Sequence, residues 1–367
     1  MRTGIIGLPS VGKTSLFKIL THAHLDARAA HGVHVGVAHV PDPRLDKLGE
    51  LYKPRKGAAT SLVSAKVTHA AVEYVDVGGL VKDKTKDSAY LTQLREVEAL
   101  AHVVRVFDDP AVPIASGRLD PLRDIEGVEL ELMLNDLEQL SRRAERLEKD
   151  LKKKKEPALE HELALLSRCR VALESEKPLR EVEFALEERK ILTSFMFLSW
   201  KPMLYVLNVG DAEAGEIEGA AGKHNLASLA ARRGTALVAI CGKVEAELAE
   251  LDDAEADELM AAYGLKESGL DRLVHATYRL LGLISFFTCA EAECRAWTVE
   301  QGATAVKAAG AVHSDMERGF IKAEVVRWDH LLAAASLAAA RERGHVKLEG
   351  REYIVQDGDV ILFRHSG

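Results

Sequence analysis

Gly7-Leu-Pro-Ser-Val-Gly-Lys-Thr14 sets two glycines, a lysine and a hydroxyl in the order G-x-x-x-x-G-K-[ST]. That order suits a polyphosphate. Glycine lets the backbone wrap with its N–H groups turned inward, and a helix beginning at the loop adds its positive end. Ser10, Val11, Gly12 and Ser15 complete the cradle, Lys13 supplies a point charge for the β- and γ-phosphates, and the Thr14 hydroxyl is a ligand for Mg²⁺. Downstream, Asp76 to Gly79 reads D-x-x-G at the end of a β-rich run containing Val72 and Tyr74. A carboxylate there contacts Mg²⁺ through water, and the Gly79 N–H faces the γ-phosphate. Lys13, Asp76 and Gly79 are therefore the catalytic candidates, and Thr14 and Asp76 the candidate metal ligands. Leu80 stands where many GTPases carry the glutamine that orients the attacking water. Leucine cannot hydrogen-bond water, so hydrolysis must use another group or be slow.

A third cluster suits a nucleobase. The apolar run Met203 to Leu207 delivers Asn208 and Asp211, an Asn-x-x-Asp spacing, to one strand end. The Asp211 carboxylate can accept two N–H bonds from a guanine edge, which adenine does not offer. Val209 replaces the lysine usual after the asparagine. Cys241-Gly242-Lys243 is similar to the last base-contacting loop of such domains, which adds Cys241 and Gly242 to Asn208, Val209 and Asp211 as base-side candidates. The expected ligand is ATP or GTP with Mg²⁺.

The elements that must position these groups are legible in outline. Gly4 to Ile6 is a strand before the loop, and Leu16, Phe17, Ile19 and Leu20 an apolar-periodic helix after it. Thr21 to His39 lies where a γ-phosphate-sensing loop is expected, and Pro41 to Asp46 is a turn into a short helix. Further strands are expected at Ala101 to Phe107 and Thr235 to Lys243. Between them Met133, Leu137, Leu140, Ala144, Leu147 and Leu151 form a heptad seam on a long helix over Glu129 to Lys155. A charged turn (Lys152 to Pro157) leads to a second helix with Leu159, Leu163, Leu166, Cys169 and Leu173, an antiparallel hairpin whose basic tip, near Arg142, Arg143 and Arg146, suits either RNA phosphates or solvent. The last part changes to a small α+β module with β-runs at 285–288, 293–298, 353–355 and 360–364 and one helix over Asp329 to Arg341. Gly319-Phe320, Trp297 and Trp328 are read there as core or rim packing.

The fold class is thus α/β. The expected domains are a nucleotide-binding domain over 1–127 and 200–281, a helical hairpin over 128–199 and the α+β module over 282–367. A length of 367 residues accommodates two or three domains, and the net charge of −8 argues against bulk adhesion to DNA or to a membrane. No apolar stretch reaches signal-peptide or membrane-spanning character. Cys169, Cys241, Cys289 and Cys294 show no C-x-x-C or metal-ligand spacing and are read as small apolar residues of a cytoplasmic protein. His22, His24, His31, His34 and His39 show no H-E-x-x-H pattern and are read as exposed rather than metal-binding.

Along nearly its whole length the chain resembles the YchF group of Obg-like ATPases. The resemblance rests on Gly7 to Ser15, Pro-Asp-Pro-Arg-Leu-Asp (41–46), Val-Asp-Val-Gly-Gly-Leu-Val-Lys (75–82), His-Val-Val-Arg (102–105) and Glu245 to Leu251. It continues through Arg-Ala-Trp-Thr (295–298), His313 to Ile321 and Val355 to Ile361. It implies a P-loop G domain interrupted by the hairpin and a C-terminal TGS domain of β-grasp type. It further implies a preference for ATP, a cytosolic location and association with ribosomes, and it accounts for Leu80, since the family carries a hydrophobic residue there. Four departures stand out. The family's first-switch Phe-Cys-Thr-Ile-Glu-Pro-Asn is missing, with Ala29 to His34 in that region. The glycine-rich second switch is replaced by the short, charged Asp83 to Tyr90, a family histidine by Ile114, and the usual glutamate of the base reader by Asp211. The first three remove groups tied to Mg²⁺ and water positioning, and the fourth weakens the case for ATP.

Overall fold

In the computed structural model, residues 1–21, 34–52, 66–77, 88–114, 117–290 and 293–366 are described. They fold as two compact units, one of residues 1–38 and 73–280 and one of residues 39–72 and 281–367.

The first unit is built on a sheet of β1 (Arg2–Ile6), β2 (His34–His39), β4 (Ala71–Asp76), β5 (Ala99–Arg105), β6 (Met203–Asn208) and β7 (Thr235–Ile240), in the order β2-β4-β1-β5-β6-β7. From β4 across to β7 every neighbouring pair is parallel. Strands covered on both faces read as continuous apolar runs, and β5 and β6 are buried at every residue. Order reverses at β1, which lies between β4 and β5, so the loop after β1 opens at a topological switch point. Helices α1 (Lys13–Thr21) and α3 (Ser88–Glu96) belong to this unit.

The long helix α4 spans Pro121–Lys153, starting earlier than the heptad seam implies. Asp120 caps it by accepting from the Arg123 N–H, and Pro121 is preset for the first turn. Its 33 residues reach about 50 Å. Helix α5 (Pro157–Glu174) returns along it, and Met133, Leu140, Leu147, Leu165, Leu166, Cys169 and Leu173 form their shared core. At the hairpin base Asp136 accepts from the Leu198 and Ser199 N–H groups at 2.8 and 2.7 Å. Glu129 takes both the Arg180 guanidinium and the Tyr205 hydroxyl in a buried cluster, which ties α4 to β6.

The second unit holds a sheet in the order β11-β10-β12-β8-β9-β3. Its strands are β3 (Lys66–Thr68), β8 (Leu283–Cys289), β9 (Glu293–Glu300), β10 (Phe320–Arg327), β11 (Lys347–Glu349) and β12 (Asp359–His365). β3 pairs in parallel with β9, and helix α2 (Pro43–Leu51) belongs here too. Residues 39–72, expected with the first domain, therefore fold with the C-terminal segment. Two local expectations also change. The 353–355 run makes only an isolated bridge, Thr304 to Ile354. The alanine-rich helix divides into Trp328–Ala334 and Leu337–Glu342, because Ala335 turns left-handed (φ 60°) and Ser336 caps the second piece. Trp297 packs partly buried against this unit's core and donates to Thr288.

Candidate nucleotide-binding site

The residues singled out for phosphate, metal and base contact gather at the carboxyl ends of parallel strands of the first unit. Gly7 follows β1, Asp76 ends β4, Asn208 ends β6 and Cys241 follows β7.

The phosphate loop has the backbone that its sequence requires. Gly7 (φ 144°) and Gly12 (φ 100°) occupy conformations that side chains rarely adopt. A Cβ on Gly7 would lie 2.5 Å from the Val103 carbonyl oxygen, and one on Gly12 2.6 Å from Asn208 Nδ2. Ser10, at φ 61°, holds a left-handed turn without being glycine, a strain of about 1 kcal/mol or more that sites of this kind retain. Val11 is buried, whereas Ser10, Thr14 and Ser15 are exposed at the loop mouth. Lys13 is 6% exposed, and its ammonium donates to the Leu8 carbonyl oxygen at 2.5 Å, held over the loop from which it came.

Thr14 and Asp76 meet. The threonine hydroxyl donates to Asp76 Oδ2 at 3.3 Å, bringing a hydroxyl on α1 and a carboxylate on β4 to the same edge of the loop. Both are hard oxygen donors of the kind that Mg²⁺ takes. Thr14 and Asp76 would hold such an ion, which would supply positive charge beside the phosphates. Among the described residues no group of three or more His, Cys, Asp or Glu could hold a metal by itself, and an ion at this site would rely on phosphate oxygens and water for its other ligands. Gly79, Leu80, His22, His24 and His31 lie outside the described residues, as do the first-switch segment 22–33 and most of the charged stretch after Leu80.

Asn208 is a brace. Its amide nitrogen donates to the Val11 carbonyl at 3.0 Å and its oxygen accepts from the Gly242 N–H at 3.0 Å, joining the phosphate loop to the loop after β7. Val209 and Cys241 turn their side chains into the sheet core, so any base contact at these two positions falls to the backbone. Asp211, exposed, forms an ion pair with Lys243, which lowers the Asp211 carboxylate below its ordinary range and raises the lysine.

Three roles were not legible in the residues. His102 on β5 is buried behind the loop, with its ring 6.1 Å from Tyr205. Burial, with the charges of Lys13 and Arg180, pushes its pKa down to about 3, so it is neutral at pH 7. Arg105, at the end of β5, donates to the carbonyls of Phe107, Asp109, Val112 and Pro113 and so helps to shape that loop. Glu245, buried, accepts from the Gly269 and Leu270 N–H groups and so anchors the helix Gly242–Leu248 behind Lys243. All three fall in stretches that carry the family resemblance, but the stretches themselves assign them no role.

The fold and the site define a P-loop nucleotide-binding domain of the GTPase type. Residues 2–159 match the family model of the 50S ribosome-binding GTPases, and residues 283–366 match the C-terminal YchF-GTPase model, described as a protein of unknown function. The chain is 42% identical to the ribosome-binding ATPase YchF of Bacillus subtilis, covering 100% of this chain and 99% of that one. It is 39% identical to the ribosome-binding ATPase YchF of Escherichia coli O157:H7, with 99% and 98% covered. The solved structure of the Schizosaccharomyces pombe YchF GTPase superposes with a TM-score of 0.83 at 28% identity, covering 99% of this chain and 97% of that one. The chain belongs to the YchF family.

Proposed function

We infer that this chain is a P-loop NTPase that binds ATP with Mg²⁺, hydrolyses it slowly and associates with ribosomes. The observation that carries the reading is the Thr14–Asp76 pair at the mouth of a phosphate loop with positive φ at Gly7, Ser10 and Gly12. The loop would bind the triphosphate through its N–H groups and Lys13, and Thr14 and Asp76 would hold Mg²⁺, which neutralises charge on the β- and γ-oxygens. Gly79 would donate its N–H to the γ-phosphate. Slow turnover follows from Leu80, which offers the attacking water no hydrogen bond.

ATP is favoured over GTP by the relatives' name, ribosome-binding ATPase. The exposed Asp211–Lys243 ion pair engages one oxygen of the carboxylate. The ribosome enters from the relatives' names and from the hairpin tip, where Lys152 to Lys155 are exposed. Arg143 is not part of that surface charge, since Glu162 of α5 engages it at 2.7 Å. The C-terminal unit reads as a TGS-like module, and the protein as cytosolic. No helix among the described residues is long and apolar enough to cross a membrane.

Single-turnover hydrolysis of ATP and of GTP, with and without ribosomes, tests this function. Turnover of ATP above a Lys13→Ala control and stimulated by ribosomes is expected. Hydrolysis matching that control under every condition would overturn it.

A further inference from the structure

We propose that Cys289 and Cys294, in the second unit, form a dithiol that hydroperoxides convert reversibly into an intramolecular disulfide. The two residues face each other across the β8–β9 ladder in register. The Ala290 N–H donates to the Glu293 carbonyl at 3.0 Å, which makes 290 and 293 the hydrogen-bonded pair and 289 and 294 the adjacent pair without backbone bonds. In such pairs the Cα atoms stand about 4.5 Å apart with side chains on one face, inside the ~4.4–6.8 Å range that a disulfide needs. Cys294 is buried on β9, and Cys289 is half-buried. Cys169 and Cys241 have no such neighbour, and burial raises both, Cys169 to about 12.

The chemistry balances with a hydroperoxide as oxidant. Cys289, the less buried of the two, gives its thiol proton to solvent and becomes the thiolate. This thiolate attacks the peroxide: an S–O bond forms, the O–O bond breaks, and the departing alkoxide or hydroxide takes a proton from solvent. The Cys294 sulfur then attacks the Cys289 sulfenic acid. The S–S bond forms, the S–O bond breaks, and hydroxide leaves as water with the Cys294 proton. Two thiols lose two electrons, and the hydroperoxide becomes an alcohol and water. The crosslink would pin β8 to β9 at the level where Val67 of β3 pairs with Cys294.

Both cysteines fall in one tryptic peptide, Leu280 to Arg295. The full chain is treated with hydrogen peroxide, alkylated, digested and weighed, with near-ultraviolet circular dichroism confirming that it stays folded. The expected product is that peptide lighter by two hydrogen atoms and unalkylated, restored by a dithiol reductant, while Cys169 and Cys241 remain fully alkylated. The native chain should form it roughly tenfold or more faster than the urea-unfolded chain, because strand pairing presets the sulfurs. Cys294→Ser should lose the crosslink and leave Cys289 as a sulfenic acid that dimedone traps. Equal rates in native and unfolded chains, or free alkylation of both cysteines after treatment, would overturn the proposal.

Discussion

Arg44 and Asp357, far apart in the chain, meet in a two-pronged contact at 2.7 and 3.3 Å. The same guanidinium is held by Asp42 at 2.9 and 2.8 Å, stacks over Phe287, and is stabilised in its charged form first by Asp42 and then by Asp357. Asp357 also accepts from the Ser285 N–H. Two stretches that mark the family resemblance, 41–46 and 355–361, thus meet at one ion cluster of the second unit. Arg44→Ala should cost about 1–3 kcal/mol in chemical denaturation, because a half-buried cation removed from two carboxylates leaves them unpaired. Arg44→Lys should recover only part of it, since an ammonium cannot reproduce the fork. A full recovery by lysine would show that charge alone matters.

At the nucleotide site, Asn208→Ala removes the bonds to Val11 and Gly242 together. Calorimetric ATP affinity is expected to fall roughly ten- to a hundredfold, corresponding to the loss of one or two buried hydrogen bonds. An unchanged affinity would mean that the phosphate loop keeps its shape without the brace.

Asp76→Asn keeps the shape and removes the charge. With Mg²⁺ present, single-turnover ATP hydrolysis should fall by about a hundredfold or more, while binding measured in EDTA should change little. Equal losses with and without Mg²⁺ would assign Asp76 to folding rather than to the ion.

His102 makes the fold sensitive to acid. Its folded pKa lies near 3 and its unfolded one near 6.5, so below about pH 6.5 the unfolded chain binds a proton that the folded chain refuses. Its stabilising share is complete above that pH and is lost at up to about 1.4 kcal/mol per pH unit down to about pH 3. Asp136 runs the other way. Burial raises its pKa to about 6, so folding gains as pH falls from about 6 toward 4. Comparing His102→Leu with the wild type isolates the histidine. The difference in unfolding free energy should shift in favour of the variant as pH falls from 7 to 4, and a parallel pair of curves would contradict this.

Reversing Lys152 and Lys155 to glutamate at the hairpin tip should weaken co-sedimentation with ribosomes, most strongly at low salt, and leave basal ATP turnover alone. Co-sedimentation that ignores both the reversal and the salt would remove the tip from the interface.

Much of this was legible in the residues because phosphate binding is local. The loop, its strand and its helix are contiguous, and the glycines at positions 7 and 12 fix the backbone wherever the rest of the chain goes. Asp76 was legible for the same reason, as a carboxylate ending a valine-rich strand. Base-side residues read less well. Asn208 has the right place but its amide is committed to Val11 and Gly242, and Val209 faces the core, which only the packing of β6 and β7 decides. The grouping of 39–72 with the C-terminal segment was hidden, because β3 is three residues long and finds its partner, β9, far down the chain. Ala335 hid for the opposite reason: alanine favours helix continuation, and Ser336 overrode that preference by capping a new one.

That interleaving constrains how the molecule can be cut. A gene fragment ending near residue 281 would encode the whole nucleotide unit and yet leave β3 without β9 and Arg44 with Asp42 but without Asp357, an orphaned strand and a half-paired cation looped between β2 and β4. A fragment beginning there would lack the edge strand and the helix that complete its own sheet. Neither half is separable by a single scission, and isolating either intact would take two breaks and a rejoining.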